Sequence, residues 1–299
     1  MSELLVPFAY EYMVKAMTIS ALVGAVCAFL SAYLMLKGWS LMGDALAHAV
    51  VPGVSGAYLL GLPYAAGAFI AGLLASAGMF FVRQQSRLRE DAIIGLVFTT
   101  FFAAGLLMVS MNPTSVNVQT IILGNILAIS DYDAWQVVII SLISLAVLVV
   151  KWKDLMLVFF DEAYAQTVGL NPTWLKIMFF TLLSACTVAA LQTVGACLVI
   201  ALVVTPGATA YLLTDRFEHL LLISVAFGTL TSFVGAYLSY FIDGATGGVI
   251  VTLQTALFVF TFLFAPKHGL YAARRQAKLA AETVAPPPAS VSPGERPLP

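Results

Sequence analysis

Charged side chains are scarce in this 299-residue chain, where Asp, Glu, Lys and Arg fill 10% of the positions and apolar residues fill 61%. Soluble domains typically carry about 25% charged residues. The composition therefore excludes an ordinary water-soluble domain and predicts a protein embedded in lipid. The net charge of −1 also excludes the basic surface that nucleic-acid binding needs, so no nucleic-acid partner is expected.

Cysteine is rare as well, and the sequence lacks two common catalytic motifs. The three cysteines, Cys27, Cys186 and Cys197, lie in apolar runs without a CxxC spacing, which excludes a zinc-ribbon or dithiol motif. No GxxxxGK[ST] phosphate loop is present, so the chain is not expected to hydrolyse ATP. No HExxH motif is present either, which argues against a metallohydrolase. We expect a non-catalytic protein without a permanently bound cofactor.

Long apolar runs are abundant. A helix needs about 20 apolar residues to cross the hydrocarbon core of a membrane. Eight runs meet this length and predict an all-α, polytopic helix bundle: 14–36, 64–82, 92–110, 134–150, 174–192, 196–213, 219–242 and 248–265. A ninth candidate, 40–60, is interrupted by polar residues, glycines and Pro52, which is typical of a broken or cavity-lining helix. The sequence thus predicts eight or nine spans.

The distribution of basic residues predicts the orientation, because cytoplasmic loops retain Lys and Arg. With nine spans, the loops near 61–63, 111–132, 193–196 and 243–247 contain no basic residue. Lys15 is then predicted on the external side, which conflicts with this rule. The following basic residues are all predicted on the cytoplasmic side: Lys37, Arg83, Arg87, Arg89, Lys151, Lys153, Lys176, Arg216, Lys267, Arg274, Arg275 and Lys278. We expect the N-terminus outside and the C-terminus in the cytoplasm.

Two segments are not expected to span the membrane. Residues 113–130 are short and punctuated by polar residues, which predicts a re-entrant or interfacial helix on the external face. The Pro-rich sequence at the C-terminal end predicts a disordered cytoplasmic tail. The expected division is a transmembrane domain over 1–270 and a tail over 271–299.

Asp44 and His48 are the sharpest functional feature. An ionisable residue within a membrane span costs about 2.5–3.5 kcal/mol on insertion scales and is a functional-site candidate by default. The i,i+4 spacing of these two residues places both side chains on one helix face. A carboxylate with an imidazole suits Mn²⁺, Fe²⁺ or Zn²⁺. A small ligand set also suits a transported ion, which has to be released again.

Other interpretations of this segment stay open. Asp44 and His48 can satisfy each other, or cap a short helix after Gly43, without binding metal. The glycines at 43, 53 and 56 can serve close helix packing, or allow a helix to bend around an ion path.

The loop after Lys153 is the second informative feature. Over about 154–173 it contains Asp161, Glu162, Ala163 and Gly169 in an E-A-x5-G pattern, on a short amphipathic helix that ends at Gly169. A soluble partner is the simplest surface for such a helix to pack on. The alternative is a helix that rests on the lipid interface.

The sequence resembles the metal-ion permeases of the ABC-3 family. The phrase GWSLMGDALAHAVVPGV at 38–54 carries the resemblance, which continues through LREDAIIGLVF, NPTSVNVQ, 159–169, QTVGACLVIALVVTPGATAYLL and GATGGVIVTLQT and covers about residues 8–270. Within the family the phrases LMLKGWSLMGDALAH and TPGATAYLLTDRF are most similar to the chelated iron/manganese permeases of Gram-negative inner membranes. Ala47, where many relatives have Ser, and the Pro-rich tail are the departures from the family pattern.

The resemblance implies a type II ABC importer-like permease that forms a homodimer. It also implies a cytoplasmic ABC ATPase dimer, bound through the segment around Glu162, and an extracytoplasmic solute-binding protein that delivers metal. Asp44 and His48 match residues associated with the metal pathway. The expected cargo is Mn²⁺ or Fe²⁺, with a zinc permease as the alternative; a secondary transporter or channel and an intramembrane hydrolase are the rival functions.

Overall fold

The structure is a computed structural model that describes residues 3–39, 41–86, 88–111 and 129–265. Within these ranges it contains helices and no strand. A 3-10 helix at Glu3–Ala9 precedes eleven α-helices. They are α1 Glu11–Lys37, α2 Met42–Ala49, α3 Val51–Leu60, α4 Tyr64–Gln85, α5 Glu90–Met111, α6 Asp131–Phe160, α7 Glu162–Thr167, α8 Pro172–Val194, α9 Ala196–Leu213, α10 Phe217–Ile242 and α11 Thr246–Phe264.

The predicted all-helical membrane bundle is confirmed. Each of the eight predicted long runs coincides with one helix, and seven of the described helices are long and apolar enough to cross a membrane. The eighth, α9, contributes a shorter apolar stretch, Leu198–Leu213. The tail and nearly all of the predicted external segment 113–130 lie outside the described residues, so their predictions stay untested.

The interruption predicted within 40–60 is present as a break between α2 and α3. Pro52 has no N–H, so it cannot donate to the carbonyl of His48 four residues earlier. That carbonyl accepts instead from the backbone N–H of Val50, where α2 ends. Two helices of 8 and 10 residues result. Whether the pair crosses the membrane, and with it the helix count and the orientation of the termini, stays a prediction.

Helix α1 is the centre of the bundle and packs against α6, α8, α9 and α10. Tyr33 lies at its core, fully buried, where its hydroxyl donates to the carbonyl of Trp152 at 2.8 Å. The rings of Phe159, Phe179 and Phe217 surround it at centroid distances of 5.0–5.9 Å. This aromatic cluster joins α1 to three other helices near one end of the bundle.

Lys15, the exception to the predicted charge distribution, has a partner at the opposite end of the bundle. Its ammonium group binds the carboxylate of Asp131 in the first turn of α6. Ser130 caps the same helix through the backbone N–H of Asp133 at 3.1 Å. The ion pair thus joins the N-terminal part of α1 to the start of α6.

Close approach of α3 and α4 explains two of the glycines. A Cβ atom at Gly53 would lie 2.1 Å from the carbonyl oxygen of Gly67, and one at Gly67 would lie 2.2 Å from that of Gly53. Gly56 is different, because a Cβ there would meet only the terminal methyl of Met108 at 3.8 Å. Gly53 therefore serves helix packing, and the break in the chain is attributable to Pro52.

We expect Gly53→Ala to lower the stability of the purified protein by about 1–3 kcal/mol, because the added methyl overlaps a backbone carbonyl. Gly56→Ala, on the same helix, is the matched control and should leave the thermal unfolding temperature in detergent nearly unchanged. Equal unfolding temperatures for the two variants would contradict the contact between α3 and α4.

Candidate metal pathway

Asp44 and His48 lie together on α2, as the sequence predicts. The Asp44 Oδ1 and His48 Nε2 atoms are 3.3 Å apart, and the two side chains are 38% and 34% exposed on the single chain. Most of the other α2 side chains, from Met42 to Ala49, are buried. The pair thus occupies the open face of an otherwise buried helix, and its spacing fits both mutual pairing and a shared ion.

Two aromatic rings of α5 form a wall beside the imidazole. The ring of His48 lies 5.5 Å from the ring centroids of both Phe98 and Phe102, and these two rings stack on each other at 5.9 Å. Such packing limits the rotation of the imidazole and excludes water from one side of it. The remaining approach to the pair is from the exposed face of α2. The sequence offered no signal for this wall, because its members lie about fifty residues from His48.

The ligand set is small. Among the described residues, no group of three or more His, Cys, Asp or Glu side chains lies close enough to hold a metal ion. The described part of the chain therefore offers a carboxylate and an imidazole to an ion at this position. Full coordination of a transition metal takes at least four donors, so water or another protein surface has to complete it.

The start of α2 is tied to the beginning of α5 by a charged cluster. Trp39 Nε1 donates to the Glu90 carboxylate, which also accepts from Arg83 at 2.7 Å. The Arg83 guanidinium lies over the indole of Trp39 at 5.5 Å. Glu90 lies in the first turn of α5, where an acid also complements the helix dipole. Its partnership with Trp39 was missed, because the two residues are distant in the chain.

The predicted coupling segment forms helix α7. Asp161 caps it by accepting from the backbone N–H of Tyr164 at 3.0 Å. Gly169 follows its end with a φ of +87°, a conformation that favours glycine. Ala163 is exposed, as are the apolar side chains of Tyr164 and Val168. The segment therefore presents an apolar surface that no other described part of the chain covers.

Glu162 faces the bundle. Its carboxylate binds the ammonium group of Lys176 on α8, whose side chain is only 6% exposed, whereas that of Glu162 is 40% exposed. A buried charge that loses its partner is strongly destabilising. The ion pair consequently fixes α7 to a membrane helix that also contacts α2. The pattern in the sequence marked Glu162 without indicating this partner.

Helix α6, which leads into α7, is long. Its 30 residues extend about 45 Å at 1.5 Å per residue, more than the roughly 30 Å of hydrocarbon in a bilayer. It is therefore longer than a perpendicular crossing requires, and α7 follows its end directly.

Comparison with known proteins agrees with this architecture. The chain matches the ABC 3 transport family over residues 9–265. It belongs to that family. It is 70% identical over 276 residues to the chelated iron transport system membrane protein YfeC of Yersinia pestis, covering 92% of this chain and 94% of that protein.

Two further relatives extend the comparison. The manganese transport system membrane protein MntB of Synechocystis is 48% identical over 269 residues, covering 89% of this chain and 87% of that protein. The solved structure of PsaBC from Streptococcus pneumoniae in complex with Fab superposes with a TM-score of 0.79 at 31% identity, covering 93% of this chain and 99% of that one. The family assignment and the apolar helices identify a multi-pass membrane protein.

Proposed function

We propose that this chain is the membrane-spanning permease subunit of an ABC importer that carries a divalent transition metal, Mn²⁺ or Fe²⁺, across the bacterial inner membrane. The observation that carries the proposal is the Asp44–His48 pair, held at 3.3 Å on a short helix within an apolar bundle. Similarity to the chelated iron protein YfeC and the manganese protein MntB supports the choice of metals.

The chemistry of the pair suits transit. A carboxylate oxygen and an imidazole nitrogen both coordinate first-row divalent metals, and two ligands hold an ion less tightly than a complete shell does. The wall of Phe98 and Phe102 strengthens electrostatic attraction, because it lowers the local dielectric on one side of the pair. Zn²⁺ accepts the same donors, so a zinc permease is the second candidate.

A second copy of the chain is the surface that best completes the pathway. A partly exposed carboxylate and imidazole cannot face lipid without a large cost. Two-fold pairing of two chains would cover both open faces of α2 and bring up to four protein ligands to one channel. We therefore propose a homodimer with the ion path between its two copies.

Energy comes from a separate subunit in this proposal, because the sequence contains no phosphate loop. Helix α7, with its exposed Tyr164 and Val168, is the docking surface for a cytoplasmic ABC ATPase dimer. The predicted orientation, with the N-terminus outside, places this helix in the cytoplasm. Metal then arrives on the opposite side from an extracytoplasmic solute-binding protein.

We expect Asp44→Ala or His48→Ala to lower accumulation of Mn²⁺ and Fe²⁺ by at least about tenfold in cells that express the whole transporter, because each change removes one of two ligands. His219→Ala is the matched control, since His219 is an exposed histidine outside the pathway, and it should transport normally. Metal content of washed cells is the measurement, normalised to the permease in the membrane.

Two results would contradict this proposal. Normal uptake by both variants would leave Asp44 and His48 as a merely structural pair. Uptake that persists in vesicles without the ATPase would favour a secondary transporter or channel.

We expect Glu162→Ala to uncouple ATP hydrolysis from transport, because α7 loses its tie to α8. The double variant Glu162→Ala/Lys176→Met removes the stranded buried charge and should restore protein levels without restoring uptake. Gly169→Pro should uncouple as well, since proline cannot adopt the observed φ. Gln166→Ala, an exposed change on the same helix, is the control.

The readout is the amount of ATP hydrolysed per metal ion transported in proteoliposomes. A normal ratio of ATP hydrolysed to metal transported in the double variant would show that the Glu162–Lys176 ion pair takes no part in coupling.

We expect a single cysteine at Thr99, on the exposed side of α5 near the aromatic wall, to cross-link two copies of the chain through a short bifunctional thiol reagent. A cysteine at Val259, 46% exposed on α11, is the control for random collisions and should not cross-link. Both variants need a background without the native cysteines. Cross-linking at Val259 alone, or purification of one copy per transporter, would contradict the homodimer.

A further inference from the structure

Helix α9 carries a proline in its interior. Pro206 has no N–H for the carbonyl of Leu202, and its ring crowds that carbonyl, so the helix is weakened at this turn. Within a bilayer no water is available to satisfy the affected backbone groups, and a neighbouring side chain has to do so.

The hydroxyl of Ser31 on α1 is such a side chain, and it binds backbone groups that flank Pro206 rather than the Leu202 carbonyl itself. Its Oγ atom donates to the carbonyl of Val204 at 3.2 Å and accepts from the backbone N–H of Gly207 at 3.0 Å. Ser31 is fully buried, and a Cβ at Gly207 would lie 2.6 Å from its Oγ. One hydroxyl therefore bridges a donor and an acceptor on either side of Pro206, with the two backbones in close contact.

The same face of α9 contacts α2 one turn earlier. Val203 lies four residues before Gly207 and packs against Gly43, where a Cβ would lie 2.6 Å from Val203 Cγ1. Gly43 immediately precedes Asp44. The direction of α9 through its proline turn thus determines the position of Val203. The position of Val203 in turn determines how closely the start of α2 approaches α9.

Just before its start, α2 has one directional anchor, the hydrogen bond from Trp39 to Glu90 on α5, whereas toward α9 it is the packing of Val203 on Gly43 that places it. Neither its N-cap nor its C-cap makes a side-chain hydrogen bond, and the helix is only 8 residues long. Packing contacts alone allow small sliding movements, whereas a hydrogen bond fixes both a distance and an angle. On the α9 side, the Ser31 hydroxyl is therefore the directional contact that fixes the segment packed against Gly43.

We propose that Ser31 is a positioning residue of the metal pathway: by bridging the Pro206 turn it holds Val203 against Gly43 and so sets the placement of Asp44 and His48. The inference rests on the proposed function of that pair. It assigns to the TPGA segment of α9 a role in shaping the ion path without touching the ion.

Ser20 provides a matched control for the test. It lies on the same helix as Ser31, is 1% exposed, and its hydroxyl has no hydrogen-bond partner among the described residues. Ser20→Ala and Ser31→Ala therefore remove the same atom from equally buried positions of α1. Only Ser31→Ala leaves the proline turn unbridged.

The first measurement is metal uptake per assembled transporter in proteoliposomes that contain the ATPase. We expect Ser31→Ala to lower uptake by roughly tenfold, the factor that corresponds to loss of one to two hydrogen bonds, while ATP hydrolysis continues. Ser20→Ala should retain normal uptake. Equal losses in the two variants, or normal uptake in Ser31→Ala, would overturn the proposal.

The second measurement reports the position of α2 directly and does not depend on transport. Spin labels at the exposed residues Leu41 and Leu96 give the distance between the start of α2 and α5. Alanine replaces the three native cysteines in this background. We expect the distance distribution to shift or broaden in Ser31→Ala and to stay unchanged in Ser20→Ala. An unchanged distribution in Ser31→Ala would overturn the positioning role even if uptake falls.

A third variant distinguishes a folding defect of Ser31→Ala from the loss of its positioning role. Pro206→Ala returns an N–H to position 206 and restores the regular helix ladder, so Ser31→Ala/Pro206→Ala should assemble even if Ser31→Ala alone does not. In the Pro206→Ala background, the further change Ser31→Ala should alter the distance distribution by much less than it does in the native background. An equal change in both backgrounds would overturn the proposal. Normal uptake by Asp44→Ala would instead refute the proposed function and leave the distance result intact.

Discussion

The requirement that every backbone polar group find a partner inside the bilayer underlies the rest of this structure. Regular helices meet it without help from neighbours, which is why each long apolar run forms one helix. Pro52 and Pro206 are two positions where that requirement has to be met in another way. At Pro52 the chain turns into a second short helix. At Pro206 a serine from α1 binds the neighbouring carbonyl of Val204 and the N–H of Gly207.

These two exceptions lie on either side of the candidate metal pathway. Pro52 ends α2 just after His48, and the turn at Pro206 packs beside Gly43 just before Asp44. A helix bounded in this way is short and is held mainly by its neighbours, which suits a segment that must bind an ion and let it go. As a consequence, the position of α2 depends on contacts made elsewhere in the bundle.

A second dependence connects the far end of the molecule to the same helix. Lys176 is buried on α8 and relies on Glu162 of α7 for its charge partner, while α8 contacts α2. If α7 moves, either α8 moves with it or the buried ammonium group of Lys176 loses its partner. This gives the proposed ATPase a physical route to the pathway through one ion pair and one helix.

Apolar runs of span length have few alternatives in lipid, so the all-helical membrane fold could be predicted from the amino-acid order. Asp44 and His48 stood out in the same way, because ionisable residues are costly in lipid. The amino-acid order also marked Glu162 and Gly169 through local helix signals. Which distant side chains meet became visible only in the folded chain: Phe98 and Phe102 at His48, Lys176 at Glu162, and Ser31 at the Pro206 turn. These contacts join residues far apart in the chain, and their existence follows from how the helices pack, which no local pattern encodes.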